Sequence, residues 1–295
     1  MPFSQDNRSP ILKKLVGIVS GVGANQTAVL KIPPGATYTD LIIQCTIAGV
    51  AATRAQLETF FTSMRFTVSG VEKWTLTGKQ LIAIIEFYAT SLIADTGVLT
   101  IPFERLWMDT QLAQTAPEYG TLGESSMQLE ITQSGGSTID LLTVWGRIDP
   151  VAQPLGAHIR MLRLTPNIAS VGKYIFPDLY KKAGDYLYAL HFEVPVVANL
   201  TNIAYVADEI RLIDITPTVL NQLYLAGPAR RTVQSAKLYV HLDFCNRGFD
   251  SDAIPLTMQT QILELDFANA APNQVNIIAE IGTRAPTQAG VAANP

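Results

Sequence analysis

Three histidines, His158, His191 and His241, are the side chains of this sequence best suited to acid–base or metal chemistry near neutral pH. They are scattered, with no His-x-His pair and no neighbouring Glu at ligand spacing, so each is expected in a non-catalytic role. Cys45 and Cys245 fall in opposite halves of the chain and read as buried, reduced thiols rather than as a disulfide. Asp250-Ser251-Asp252 offers carboxylates to a hard cation, but two are too few for a protein-only calcium site, and a solvated acidic loop is expected. Glu130 and Glu264 could mimic the paired carboxylates of a glycosidase, yet they fall in different domains. Gly21-Val22-Gly23-Ala24 lacks the third glycine of a dinucleotide loop and reads as a turn. No nucleophile elbow, no Walker Lys-Ser/Thr pair and no Cys-x-x-Cys occurs. The sequence thus predicts no catalytic, cofactor-binding or metal-binding residue, no cofactor and no enzyme activity.

The segments that would position any site are strands. Leu41 to Ile47, Met64 to Val68, Val98 to Phe103, Met127 to Ile131 and Ile139 to Trp145 alternate with period two or form short β-branched runs bounded by turn residues. Tyr186 to Val194, Glu209 to Ile213, Lys237 to Phe244, Ile262 to Phe267 and Val275 to Ile281 do the same in the second half. The halves repeat one order of elements. Lys31-Ile32-Pro33 answers Tyr174-Ile175-Phe176-Pro177, and Met64 to Val68 answers Glu209 to Ile213, each followed by a helix. Thr77 with Gln80 three residues on is a capping box opening a helix over Lys79 to Thr90. Thr216 followed by Pro217 opens a second helix over Thr218 to Leu225, stopped by Gly227-Pro228. Each half is expected to close on a hairpin, Leu129-Glu130-Ile131 turning at Gly135-Gly136 and Leu263-Glu264-Leu265 turning near Pro272-Asn273.

Many short strands with one inserted helix per half predict an all-β fold of two tandem jelly-roll sandwiches. The boundaries read as an N-terminal arm over 1–14, a first jelly roll over 15–149, a Pro/Gly-rich linker over 150–156, a second jelly roll over 157–285 and a tail over 286–295. Only 16% of residues are charged, and the mean hydropathy is +0.21, so part of the apolar surface is expected between subunits. The net charge of −4 gives no basic footprint for wrapping nucleic acid, and no direct sequence-specific nucleic-acid partner is expected. Gln80 to Ala94 is too short for a membrane span and carries Glu86. Arg8, Lys13 and Lys14 beside Ile11, Leu12 and Leu15 could instead touch an anionic membrane surface.

Lys31-Ile32-Pro33-Pro34-Gly35-Ala36-Thr37-Tyr38, then Arg65-Phe66-Thr67-Val68-Ser69-Gly70 ahead of a helix, then the segments ending at Gly146 and Gly282, occur in an order that resembles the corticovirus-type major capsid proteins of tailless phages with an internal membrane. The likeness covers nearly the whole chain, and Gln56 to Ser63 departs from it in being more helical. The resemblance implies a coat protein of the virion, assembled in the host cytoplasm. It implies homotrimers with two barrels per subunit that tile an icosahedral shell as pseudo-hexagons. Partners would be neighbouring capsomers, penton and minor capsid proteins, and an internal membrane reached through the N-terminal arm. It transfers no catalytic residue. The alternative is a jelly-roll carbohydrate-binding or receptor-binding spike, for which Trp74, Trp107 and Trp145 are too scattered to form an obvious sugar platform.

Overall fold

The computed structural model describes residues 11–16, 19–88, 93–94, 96–109, 114–115, 117–177, 182–226, 231–234, 238–257, 260–270 and 272–283. Arg8 and the tail from 286 onward lie outside the described residues. The chain divides into two units: 1–82, 92–105 and 115–158 in the first, and 83–91, 106–114 and 159–295 in the second.

In the first unit, alternation makes the inner sheet face. β10 (Met127–Gln133) turns Met127, Leu129 and Ile131 inward and leaves Gln128, Glu130 and Thr132 half-buried, as a period-two pleat requires. It lies between β2 (Thr27–Ile32) and β5 (Phe61–Val68), and β5 pairs in turn with β6 (Val71–Leu76), giving a four-stranded sheet in the order β2-β10-β5-β6. The facing sheet runs β1 (Ile11–Val16), β11 (Leu141–Asp149), β3 (Thr37–Ile47), β8 (Val98–Pro102) and β7 (Ile93–Ala94), with β4 (Val50–Ala51) and β9 (Tyr119–Gly120) also on β3. Strand β1 begins at Ile11, so Ile11 to Lys14, read as arm from the sequence, pair with β11. Between the sheets Phe66 packs on Trp74, Phe103 and Tyr119 with ring centroids 5.2–5.5 Å apart, the offset and edge geometry that aromatic quadrupoles favour. Two helices are inserted: α1 (Arg54–Phe60), opened by a Thr53–Gln56 capping box, and α2 (Gly78–Tyr88). The predicted box of α2 is made, Gln80 N–H donating to Thr77 Oγ1 at 3.1 Å and Thr77 N–H to Gln80 Oε1 at 3.1 Å.

The second unit repeats this wiring. Its sheets run β12 (His158–Leu164), β22 (Asn276–Thr283), β15 (Asp185–Glu193), β18 (Tyr239–Asp243), and β14 (Gly172–Pro177), β20 (Gln261–Phe267), β16 (Leu200–Ala207), β17 (Ile210–Ile215). Two short strands, β13 (Asn167–Ile168) and β21 (Asn273–Gln274), pair with each other, and β19 (Ile254–Pro255) pairs with β15. Helix α3 (Pro217–Ala226) follows β17 as α2 follows β6, with Val219 N–H donating to the Thr216 hydroxyl at 3.3 Å. In chain order the strand sequence of each four-plus-four sandwich is that of the jelly roll.

Two sequence expectations are corrected. The closing hairpins are not hairpins: β10 and β11 belong to opposite sheets, as do β20 and β22, so each glycine- or proline-bearing loop is a corner between the layers. Alternation marks a half-buried strand but not its partner, which long-range pairing decides. The repeat also aligns differently at the helix. The counterpart of β17 is β6, not Met64 to Val68, because both strands are reached through a two-residue turn with positive φ at each position, Ser69-Gly70 (47° and 75°) and Asp208-Glu209 (47° and 66°). Adjacent Glu72 and Lys73 interrupt the alternation of β6 and hide it from a pattern reading.

Candidate functional site

The structure brings together two of the three histidines. His191 on β15 and His241 on β18 are direct cross-strand neighbours, both essentially inaccessible to solvent, and their Nδ1 atoms lie 2.7 Å apart, so one ring donates to the other. Glu280 on β22 extends the row, with Oε1 3.4 Å from His191 Nε2, and accepts from the Tyr88 hydroxyl at 3.0 Å. Phe87 stacks on the His241 ring at 4.2 Å, and Tyr88 stacks on Trp107 at 4.4 Å. Beside them the Tyr224 hydroxyl donates to the His241 carbonyl at 2.9 Å, and Arg231 pairs with Asp243 at 2.9 Å, both side chains buried. Burial, then the neighbouring His191, holds His241 well below the usual imidazole range, so it is neutral at physiological pH.

This is a buried polar seam under aromatic rings, in which His241 Nε2 has no hydrogen-bond partner among the described residues. A general base must reach a substrate proton, and these rings face only protein. The sequence signal for the pair was their common phase on two strands. It becomes visible only once the register His191↔His241 is known.

His158 is elsewhere, in the first unit. Its Nε2 lies 2.9 Å from Lys73 Nζ and its Nδ1 3.0 Å from the Gly156 carbonyl, an arrangement that fits a neutral ring accepting from the ammonium and donating to the backbone. Cys45 and Cys245 are both buried and unpaired with each other, and burial pushes the Cys45 thiol up to about 12. Glu130 and Glu264 do occupy matching positions, but each is ion-paired within its own sheet, Glu130 to Arg65 at 3.3 Å and Glu264 to Lys173 at 3.2 Å and Arg211 at 3.1 Å. Asp252 is held by Arg247 through two contacts of 2.9 and 2.6 Å, which occupies the oxygens a cation would need. Gly21 and Gly23 form a turn with positive φ, tied to Gln133 through Gly23 N–H at 3.1 Å. Among the described residues no His, Cys, Asp and Glu side chains gather in a metal-sized cluster, and no helix is long and apolar enough to cross a membrane.

What the second unit offers outward is an apolar surface. Ile210 and Leu212 on β17 are 64% and 42% exposed, and Val219, Leu223 and Leu225 on α3 are 52%, 49% and 61% exposed. An open depression of about 600 Å³ lined by Leu200, Pro217 and Asn221 adjoins the start of α3. Large apolar side chains left exposed in such number are a common mark of a protein–protein contact.

Family models identify the chain. The viral coat protein P2 N-terminal domain matches residues 13–149, and the viral coat protein P2 C-terminal domain matches residues 159–284. The chain belongs to the viral coat protein P2 family. Among solved structures, the P2-family chain is similar to the major capsid protein P2 from bacteriophage PM2, at 17% identity and a TM-score of 0.80, covering 95% of this chain and 99% of that one. It is also similar to the STIV MCP (11% identity, TM-score 0.68, 97% and 100% covered) and to a chain of the PBCV-1 virus capsid (10%, 0.60, 94% and 96% covered). No curated protein sequence matches it. The P2-family chain is thus a viral coat protein with a double jelly-roll fold and part of a virion, and the spike or lectin alternative gains no support.

Proposed function

We propose that this coat protein assembles as a homotrimer in which three chains present six jelly rolls as a pseudo-hexagonal tile of an icosahedral shell. The observation that carries this reading is the duplicated wiring, β1-β11-β3-β8 over β2-β10-β5-β6 and β12-β22-β15-β18 over β14-β20-β16-β17. Two like barrels per chain let a threefold ring approximate six equivalent edges, which a single barrel would reach only as a hexamer. Neighbouring capsomers and penton and minor capsid proteins are the further partners of this reading, with the cationic N-terminal segment facing an internal membrane and assembly taking place in the host cytoplasm. The chain turns over no substrate and uses no cofactor, its function being carried by surfaces. Sedimentation equilibrium of the purified protein tests the reading: a mass about three times 32.1 kDa is expected, and a species of 32.1 kDa that persists at high concentration contradicts it.

A further inference from the structure

Helix α2 starts in the first unit and ends in the second, whose residues include 83–91. There its last turn covers the outward side of the β15–β18–β22 face: Phe87 lies on His241, and Tyr88 reaches Glu280. The same face exists in the first unit, and two β-bulges locate it residue by residue. The register of β3 on β11 shifts at Thr39, and that of β15 on β22 shifts at Tyr188, so Thr39 answers Tyr188. Counting along the ladders, Ile42 answers His191, Thr100 answers His241, and Trp145 answers Ile278. Ile42, Thr100 and Trp145 are only half-buried, and Gln44 beside them is exposed, whereas His191 and His241 are sealed.

The helix side shows the complementary difference. Helix α3 is the counterpart of α2, opened by Thr216 as α2 is opened by Thr77. Residues 80–88 of α2 are buried throughout, while α3 exposes Val219, Leu223 and Leu225. Its sequence, Pro-Thr-Val-Leu-Asn-Gln-Leu-Tyr-Leu-Ala, carries no charge at all, which is foreign to a helix face meant for water. Among the described residues the chain therefore holds one half-open copy of a sheet face and one exposed copy of the helix that covers such a face.

We infer that α3 of one subunit docks on the β3–β8–β11 face of the first jelly roll of a second copy of this chain, as α2 docks on β15–β18–β22. The contact is heterologous: helix and receptor face are different surfaces, so each chain gives one and receives one, and a closed ring uses all of them. This inference rests on the trimeric reading and specifies its contact. The aligned position of Phe87 on α3 is Ala226, counted from the Thr caps, and the aligned position of His241 is Thr100, so Ala226 of one copy meets Thr100 of the next.

Two experiments test it on the full-length chain. Leu223→Lys with Leu225→Lys changes side chains that are 49% and 61% exposed, so the fold should survive, as the circular dichroism spectrum will register. The wild type is expected at about three chain masses and the double variant at one. Separately, Ala226→Cys and Thr100→Cys single variants are co-expressed and oxidised. A two-chain disulfide band is expected in the mixture and in neither variant alone, since Cys45 and Cys245 are buried. A folded double variant that stays trimeric, together with no mixed cross-link, overturns this contact and leaves the trimer standing. A monomeric wild type overturns both. Should the lysine variant fail to fold, the cross-link alone decides.

Discussion

Replacing His241 by Phe separates the two things this residue does. The ring stacks on Phe87 at 4.2 Å and exchanges a proton contact with His191 at 2.7 Å. Phe keeps the stacking and removes the titration. In the folded protein burial holds His241 neutral, well below its ordinary value of 6.5, whereas in the unfolded chain it titrates near that value. Below pH 6.5 the unfolded state therefore binds a proton that the folded state refuses, so stability is full above 6.5 and falls as pH falls. The loss approaches about 1.4 kcal/mol for each pH unit below that point. Between pH 7.5 and 5.5, urea unfolding of the wild type should lose about 1.4 kcal/mol more than unfolding of His241→Phe, whatever the offset between the two at neutral pH. Titratable groups remote from the seam contribute equally to both proteins and cancel in the difference. Parallel pH curves for the two proteins would refute the claim that His241 is held neutral by its surroundings.

Three further changes probe the scaffold. Glu209→Gly relieves a non-glycine residue at φ 66° in the β16–β17 turn and should raise the urea midpoint by the equivalent of about 1 kcal/mol, where Asp208→Ala should not. Thr77→Ala removes the side-chain half of the capping box of α2 and should cost about 1 kcal/mol in the same assay. Arg231→Ala strips the cation from Asp243, which is fully buried, and should cost about 3–5 kcal/mol, with thermal unfolding as the readout.

Much of this architecture was legible in the chain. Met127 to Ile131 and Ile262 to Phe267 alternate so cleanly that their place in a half-buried sheet followed from the pleat, and the Thr77 and Thr216 caps fixed where the helices start. Partners were not legible. Gly135-Gly136 resembles a hairpin turn, yet the strands on either side of it join opposite sheets, because inter-sheet corners and hairpins use the same turn residues. Leu200 to Ala207 was missed as a strand because Asn202 and two alanines dilute its β-branched signal, although pairing on both sides holds it in the sheet. The histidine pair was hidden for a like reason: residues 191 and 241 meet only through the β15–β18 ladder. The exposure of Leu223 and Leu225 beside a sealed counterpart helix is likewise visible only in the structure.

The central claim is that duplicated barrels in one chain build a six-edged tile from three copies. Electron microscopy of the purified, unassembled protein tests it most directly. Averaged particles viewed down their axis should show six lobes in a hexagonal outline with threefold symmetry, two lobes from each 32.1 kDa chain. Particles with two lobes, or rings closing at any number other than three chains, would contradict it.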